Sequence, residues 1–196
     1  APGNTGNHTW VLGGTSDYNI YGAGTMNFTK NTATHAIFFA NYDYTGAITL
    51  SGVTLNTSQV IATLRSGNLV IKNSEVNAFT NNTLTGLFTL GEDYTNTTSG
   101  VRGYSYNPMS LTLLDSDITF RYSDIRNTYT DRQNGGKVTP LIYHKVIDGD
   151  GATDPTTSVA IEGCHVVAQG ALVQADGYKV TLTGTLCLNV CSQYTQ

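Results

Sequence analysis

The feature that most constrains this chain is an eight-residue phrase that returns five times: Ile48-Thr-Leu-Ser-Gly-Val-Thr-Leu55, Leu69-Val-Ile-Lys-Asn-Ser-Glu-Val76, Leu111-Thr-Leu-Leu-Asp-Ser-Asp-Ile118, Val159-Ala-Ile-Glu-Gly-Cys-His-Val166 and Val180-Thr-Leu-Thr-Gly-Thr-Leu-Cys187. Its first, third and last positions are apolar, as they are when alternate residues of a strand face one side. Its fifth position is Gly, Asn, Asp, Gly and Gly, residues that tolerate left-handed backbone angles, so a strand runs in, bends and continues. The starts at 48, 69, 111, 159 and 180 are 21, 42, 48 and 21 residues apart, which makes 21 residues the basic turn of a solenoid. A second apolar segment precedes each phrase: Ala36–Phe39, Val60–Ala62, Leu87–Leu90, Leu141–Tyr143 and Ala171–Val173. Each coil therefore supplies at least two strands, and the expected stack puts Leu50, Ile71, Leu113, Ile161 and Leu182 in one inward file.

These spacings divide the chain into three parts. Residues 1–17, rich in Gly, Asn and Thr, read as an N-terminal arm or the join to an upstream region. Residues 18–190 form the solenoid, with Tyr18–Phe28 as an opening coil around a Gly-Ala-Gly bend, and residues 191–196 are a polar tail.

Composition agrees with a mostly β chain. Only 12% of residues are charged, too few for long solvated helices, while Thr, Asn, Ser, Gly and Tyr abound. A net charge of −4 gives no broad attraction to phosphate backbones, so nucleic acid is not an expected partner. No run approaches the ~20 apolar residues of a membrane span, and Ala1-Pro2-Gly3-Asn4 does not resemble a secretory leader, so no membrane insertion is expected. Three cysteines, Cys164, Cys187 and Cys191, do not make a disulfide-stapled fold. Parity places Cys164 and Cys187 both inward on neighbouring coils, about 8 Å apart by a diagonal step, which favours buried thiols over a bridge. Asn-x-Ser/Thr sequons at Asn7, Asn27, Asn56, Asn81 and Asn96 are what such an Asn- and Thr-rich composition produces by chance.

Coils that only stack would all be short, so three long excursions are where function is expected. Residues 91–110 carry Glu92, Asp93, Tyr94, Arg102, Tyr104, Tyr106 and Asn107, and residues 145–158 carry Asp148, Asp150 and Asp154. Both interrupt the same step of their coils and are expected on one side of the rod. Residues 119–139 leave from another corner and carry Arg121, Tyr122, Asp124, Arg126, Tyr129, Asp131, Arg132 and Lys137, four of the ten basic residues. Tyr and Arg beside Asp, Asn and Thr suit a sugar, whose C–H face lies on an aromatic ring while polar groups take its hydroxyls. They suit a subunit interface equally well. The ligand-binding candidates are Tyr94, Arg102, Tyr104, Tyr106, Arg121, Tyr122, Arg126, Tyr129 and Arg132.

Cleavage of a glycan needs two carboxyls at a set separation, and Glu92, Asp93, Asp115, Asp117, Asp148 and Glu162 are the candidates. Nothing in the sequence singles out a pair, and Asp115 occupies the corner position where Asn or Gly stands elsewhere, a structural role. His165 falls on an outward position and reads as surface. Asp148-Gly-Asp150-Gly-Ala-Thr-Asp154 offers three carboxylates around glycine turns, a spacing able to wrap Ca²⁺, but it lacks the closing Glu and flanking helices of a calcium loop. A solvated turn is favoured there and no cofactor is expected.

With its repeated phrases and their Asn/Gly corners, the chain resembles the pectate-lyase-like family of single-stranded right-handed β-helices. The resemblance covers roughly residues 18–190 and implies an all-β, right-handed single-stranded parallel β-helix of about five to six coils with long loop insertions. The Asn/Thr/Tyr-rich, weakly charged surface is most similar to bacteriophage tailspikes and receptor-binding fibres. That likeness implies a homotrimer on a virion tail or an extracellular surface, with a bacterial surface glycan as partner. The Asp-Asp and Gly-His-Gly signatures of polygalacturonase-like relatives are missing, so no catalytic pair is carried over. Ile20-Tyr-Gly-Ala-Gly-Thr-Met26 is also similar to a phrase of secreted bacterial adhesins of the autotransporter-passenger kind, which keeps an adhesin fragment open as an alternative, beside a glycan-depolymerising hydrolase or lyase.

Overall fold

The computed structural model describes residues 8–28, 36–80, 86–91, 108–122, 140–146, 157–168, 172–177, 181–183 and 186–190. Those residues contain no helix and run as strands that fall into three parallel sheets of six strands each. Sheet A holds β1 (Trp10–Leu12), β4 (Ala36–Ala40), β7 (Val60–Leu64), β10 (Phe88–Leu90), β13 (Ile142–Val146) and β16 (Val173–Gly177). Sheet B holds β2 (Tyr18–Tyr21), β5 (Ala47–Ser51), β8 (Gly67–Lys72), β11 (Met109–Leu114), β14 (Thr157–Glu162) and β17 (Thr181–Thr183). Sheet C holds β3 (Thr25–Phe28), β6 (Thr54–Thr57), β9 (Glu75–Thr80), β12 (Asp117–Tyr122), β15 (Cys164–Ala168) and β18 (Leu186–Val190). The chain visits A, B and C in turn and returns to A beside the strand it left, the connectivity of a parallel β-helix. Each coil has three strands, because the repeated phrase straddles a corner and supplies both a B and a C strand. β1 pairs with β4, so the stack already includes Trp10–Leu12, upstream of the opening coil at Tyr18.

The corner residues behave as their chemistry requires. Gly52, Asn73, Asp115 and Gly163 have φ of 71°, 49°, 46° and 63°, so the fifth position of four successive phrases is left-handed. Inside the corner, the expected register holds over four coils. Ile48, Leu69, Leu111 and Val159 are partners in sequence, as are Leu50, Ile71, Leu113 and Ile161, and all eight side chains are fully buried. Leu55, Val76, Ile118 and Val166 continue the core on sheet C. Each such side chain contributes on the order of 1.5–3 kcal/mol through burial.

Sheet A differs from the other two because its strands β4, β7 and β10 are buried on both faces at every residue but Thr63. β4 is buried at all five residues, and Leu141, Ile142, Tyr143 and His144 are buried in succession. On the side away from the core, Phe39 stacks on His8 at 4.1 Å, and the Arg65 guanidinium lies 4.6 Å from the centroids of both Phe39 and Tyr42. Tyr44 is buried beneath the A-to-B corner, where burial pushes its phenol up to about 12. A Cβ on Gly67, whose φ is +78°, would stand 2.5 Å from the Tyr44 ring, so that corner needs glycine for both angle and space.

Two expectations are corrected at the far end of the stack. Leu182 pairs with Val159 rather than Ile161, and Cys187 pairs with the exposed His165 rather than the buried Val166. The last phrase is therefore displaced by two residues in sheet B and by one in sheet C, and Cys187 falls on an outward register position. The excursion expected from residue 119 also starts later, since β12 runs through Tyr122.

The left-handed corner makes a direct prediction. Asn73→Val, which puts a β-branched side chain at φ 49°, should lower unfolding free energy by about 1–2 kcal/mol, while Asn73→Gly should not. Denaturant titration of both variants measures the difference.

Candidate functional site

The B-to-C corner is held by a file of small polar side chains at the sixth position of the phrase. The Val53 N–H donates to Ser74 Oγ (3.2 Å), and the Ser74 N–H donates to Ser116 Oγ (3.1 Å). Each hydroxyl in turn donates to the carbonyl two residues back, Ser74 to Lys72 and Ser116 to Leu114, both at 2.7 Å. Cys164 continues the file, its thiol donating to the Glu162 carbonyl at 3.4 Å and accepting from the Ser116 N–H. Burial pushes that thiol up against the opposing pull of these hydrogen bonds, and the neighbouring Asp115 and Asp117 charges add to the rise. A thiol so placed is a poor nucleophile and acts as a structural hydroxyl substitute. The file satisfies backbone donors that a bend takes out of the sheet ladder.

Outside this corner lies the solvent face of sheet C, where stacking turns residues distant in sequence into neighbours. One file is Thr25, Thr54, Glu75, Asp117 and His165. Thr54 Oγ1 donates to Glu75 (3.4 Å), and His165 Nδ1 lies 3.7 Å from Asp117 Oδ1, with those side chains 50% and 73% exposed. The next file begins with three asparagines. Asn56 Nδ2 donates to Asn27 Oδ1 (2.9 Å), and Asn77 Nδ2 donates to Asn56 Oδ1 (3.2 Å) and to Glu75 Oε1 (3.0 Å). Beyond Asn77, Phe79 is 50% exposed and pairs in register with the exposed Arg121. One strip of surface thus carries amide donors and acceptors, carboxylates, an imidazole, an aromatic face and a guanidinium.

Of the sequence candidates, Asp115, Asp117, Glu162 and Arg121 have described side chains, and all four are exposed. Asp115 is the left-handed corner residue, and its carboxylate touches the space where a Cβ of Gly163 would go, so glycine is required directly above it. Asp117 and Glu162 occupy different files, on sheets C and B, and no desolvated carboxyl pair forms among the described residues. Tyr122 takes the register position of Thr80. Glu92, Asp93, Tyr94, Arg102, Tyr104, Tyr106, Arg126, Tyr129, Arg132, Asp148, Asp150 and Asp154 lie outside the described residues. Their anchor points are nonetheless ordered by topology. The excursions at 92–107 and 147–156 both join sheet A to sheet B, and their flanking strands are neighbours, β10 with β13 and β11 with β14. Among the described residues no group of three His, Cys, Asp or Glu side chains is arranged to hold a metal.

Phe79 and the asparagine file were missed by reading the sequence. A signal for the asparagines exists, since Asn56 and Asn77 each follow the last apolar residue of a phrase, the second outward position of the new strand. No family model matches the chain, and neither a curated protein nor a solved structure is found to match it.

The corner file predicts that Cys164→Ser keeps stability within about 0.5 kcal/mol, whereas Cys164→Ala, which leaves the Ser116 N–H without its acceptor, costs about 1–3 kcal/mol. Thermal and denaturant unfolding of the two variants distinguish these outcomes.

Proposed function

We propose that this chain is a right-handed parallel β-helix of the pectate-lyase-like kind that serves as a receptor-binding module for a bacterial surface polysaccharide, in the manner of a phage tailspike or tail fibre. The observation that carries this reading is the exposed Phe79 beside the exposed Arg121, at the end of the asparagine file on sheet C. An aromatic ring on an otherwise polar face offers a platform for the C–H side of a sugar ring. Amide and guanidinium groups at strand spacing then meet hydroxyls along the glycan. The parallel ladder fixes these groups before any ligand arrives, which lowers the ordering cost of binding.

In this reading the excursions at 92–107 and 147–156 both add to the contact surface, the first through Tyr94, Arg102, Tyr104 and Tyr106 and the second through Asp148, Asp150 and Asp154. The excursion at 123–139 follows directly from the strand that carries Arg121, so it either joins the glycan site or meets a neighbouring subunit of a trimer. Such a module works on a virion tail or a cell surface, and it needs no cofactor.

The test is binding to an array of purified bacterial surface polysaccharides. A binding glycan should lose about tenfold in affinity, near 1.4 kcal/mol, on Phe79→Ala or Arg121→Ala with melting temperature unchanged. Failure to bind any glycan of the array, or full affinity in both variants, contradicts the reading.

A further inference from the structure

The outward file of sheet C that runs through Glu75, Asp117 and His165 has a further register position, and Cys187 of β18 fills it. The pairing of β18 fixes the face. Leu186 pairs with the buried Cys164 and Leu188 with the buried Val166, so the residue between them belongs to the outer face, opposite the half-exposed His165. Three successive coils thus contribute Asp117, His165 and Cys187, in that order, to one line on the outside of the stack. The order is that of an orienting carboxylate, a base and a nucleophile. His165 Nδ1 lies 3.7 Å from Asp117 Oδ1, which makes Nε2 the nitrogen on the far edge of the ring, and β18 flanks β15 on the side opposite β12.

We propose that Cys187 is a reactive surface thiol, activated by His165 on the adjacent rung, that undergoes exchange with small disulfides. The imidazole accepts the thiol proton, and the thiolate attacks one sulfur of the disulfide. A new S–S bond to Cys187 forms as the old one breaks, and the leaving thiolate takes its proton from the imidazolium. The product is a mixed disulfide on the outer face of sheet C, and no further oxidant is needed. Exchange fits this place better than acyl transfer, because it requires neither a water-free cleft nor donors for a developing oxyanion. The face is open, with the His165 and Asp117 side chains 50% and 73% exposed. An imidazolium one ladder step of about 4.8 Å away stabilises a thiolate. The opposing carboxylates are farther along the file, Asp117 two steps away and Glu75 three, beyond the ~8 Å over which physiological salt screens exposed charges, while Asp115 and Glu162 stand at the B-to-C corner. Cys164 provides the contrast on the same strand as His165. It is inward and buried, its thiol donates to the Glu162 carbonyl, and burial pushes that thiol up.

The experiment uses the whole chain with Cys191→Ser, so that Cys164 and Cys187 are its only thiols. Dithiodipyridine is the probe, its released thione is followed by absorbance, and the modified cysteine is located by peptide mass. Cys187 should react in the folded chain and Cys164 only on unfolding. The rate at Cys187 should reach half its maximum at least about one pH unit below the ~8.5 of an isolated thiol. His165→Gln, with melting temperature unchanged, should move that midpoint up by about one unit and slow exchange at pH 6 by about threefold or more. Should His165→Gln not fold, the midpoint of the parent chain alone decides. A Cys187 that stays unmodified until the chain unfolds, a midpoint at or above ~8.5, or a pH profile indifferent to His165→Gln overturns the proposal. Glycan binding is a separate matter, because Phe79 and Arg121 lie on another file of the same sheet.

Discussion

The in-register parallel ladder between successive coils is the constraint on which everything else in this molecule rests. No strand has a partner close in sequence. β8 takes its hydrogen bonds from β5 and β11, and its Leu69 sits between Ile48 and Leu111. Because side chains alternate across a strand, a slip of one residue would carry Ile71 out of the core and Lys72 into it. Burial of the inward files therefore selects the register, and the register in turn satisfies the backbone. The two requirements reinforce each other coil by coil, which is how repetitive folds gain stability from nearest neighbours.

The same ladder is what makes a functional surface possible. Asn27, Asn56 and Asn77 belong to three different coils, yet their amides hydrogen-bond to one another on the outside of sheet C. Phe79 and Arg121 are brought side by side in the same way. At the corner, Ser74, Ser116 and Cys164 tie the bend of one coil to the next, so the outward files are held from beneath by hydrogen bonds rather than by packing alone. A rigid comb of groups at about 4.8 Å intervals suits an extended, repetitive ligand better than a compact one.

How much of this was legible follows from where the sequence keeps a period. The B and C strands alternate, and their corner needs Gly, Asn or Asp, so the phrases beginning at Ile48, Leu69, Leu111 and Val159 revealed coil, corner and core together. Sheet A does not alternate, because Phe38 and Phe39 are both buried, and so its segments read only as apolar runs. The last phrase misled by its resemblance to the others. Val180-Thr-Leu matches Val159-Ala-Ile by type, but hydrogen bonding places Leu182 against Val159, and composition alone cannot detect a shift of two that preserves parity. Phe79 escaped notice because an aromatic residue is read as core until its outward position is known. The candidates on the long excursions rested on residue type alone, without a period to place them.

The most direct measurement is a distance along an outward file. Spin labels at Asn19→Cys and Ala160→Cys, in a background with Cys164, Cys187 and Cys191 replaced by Ser, sit on β2 and β14 at positions linked by Thr49, Val70 and Thr112. Four ladder steps of about 4.8 Å predict a narrow distribution of backbone separation near ~19 Å, broadened by the label tethers. A mean beyond about twice that value, or a distribution as broad as that of an unfolded chain, would contradict the stacked account.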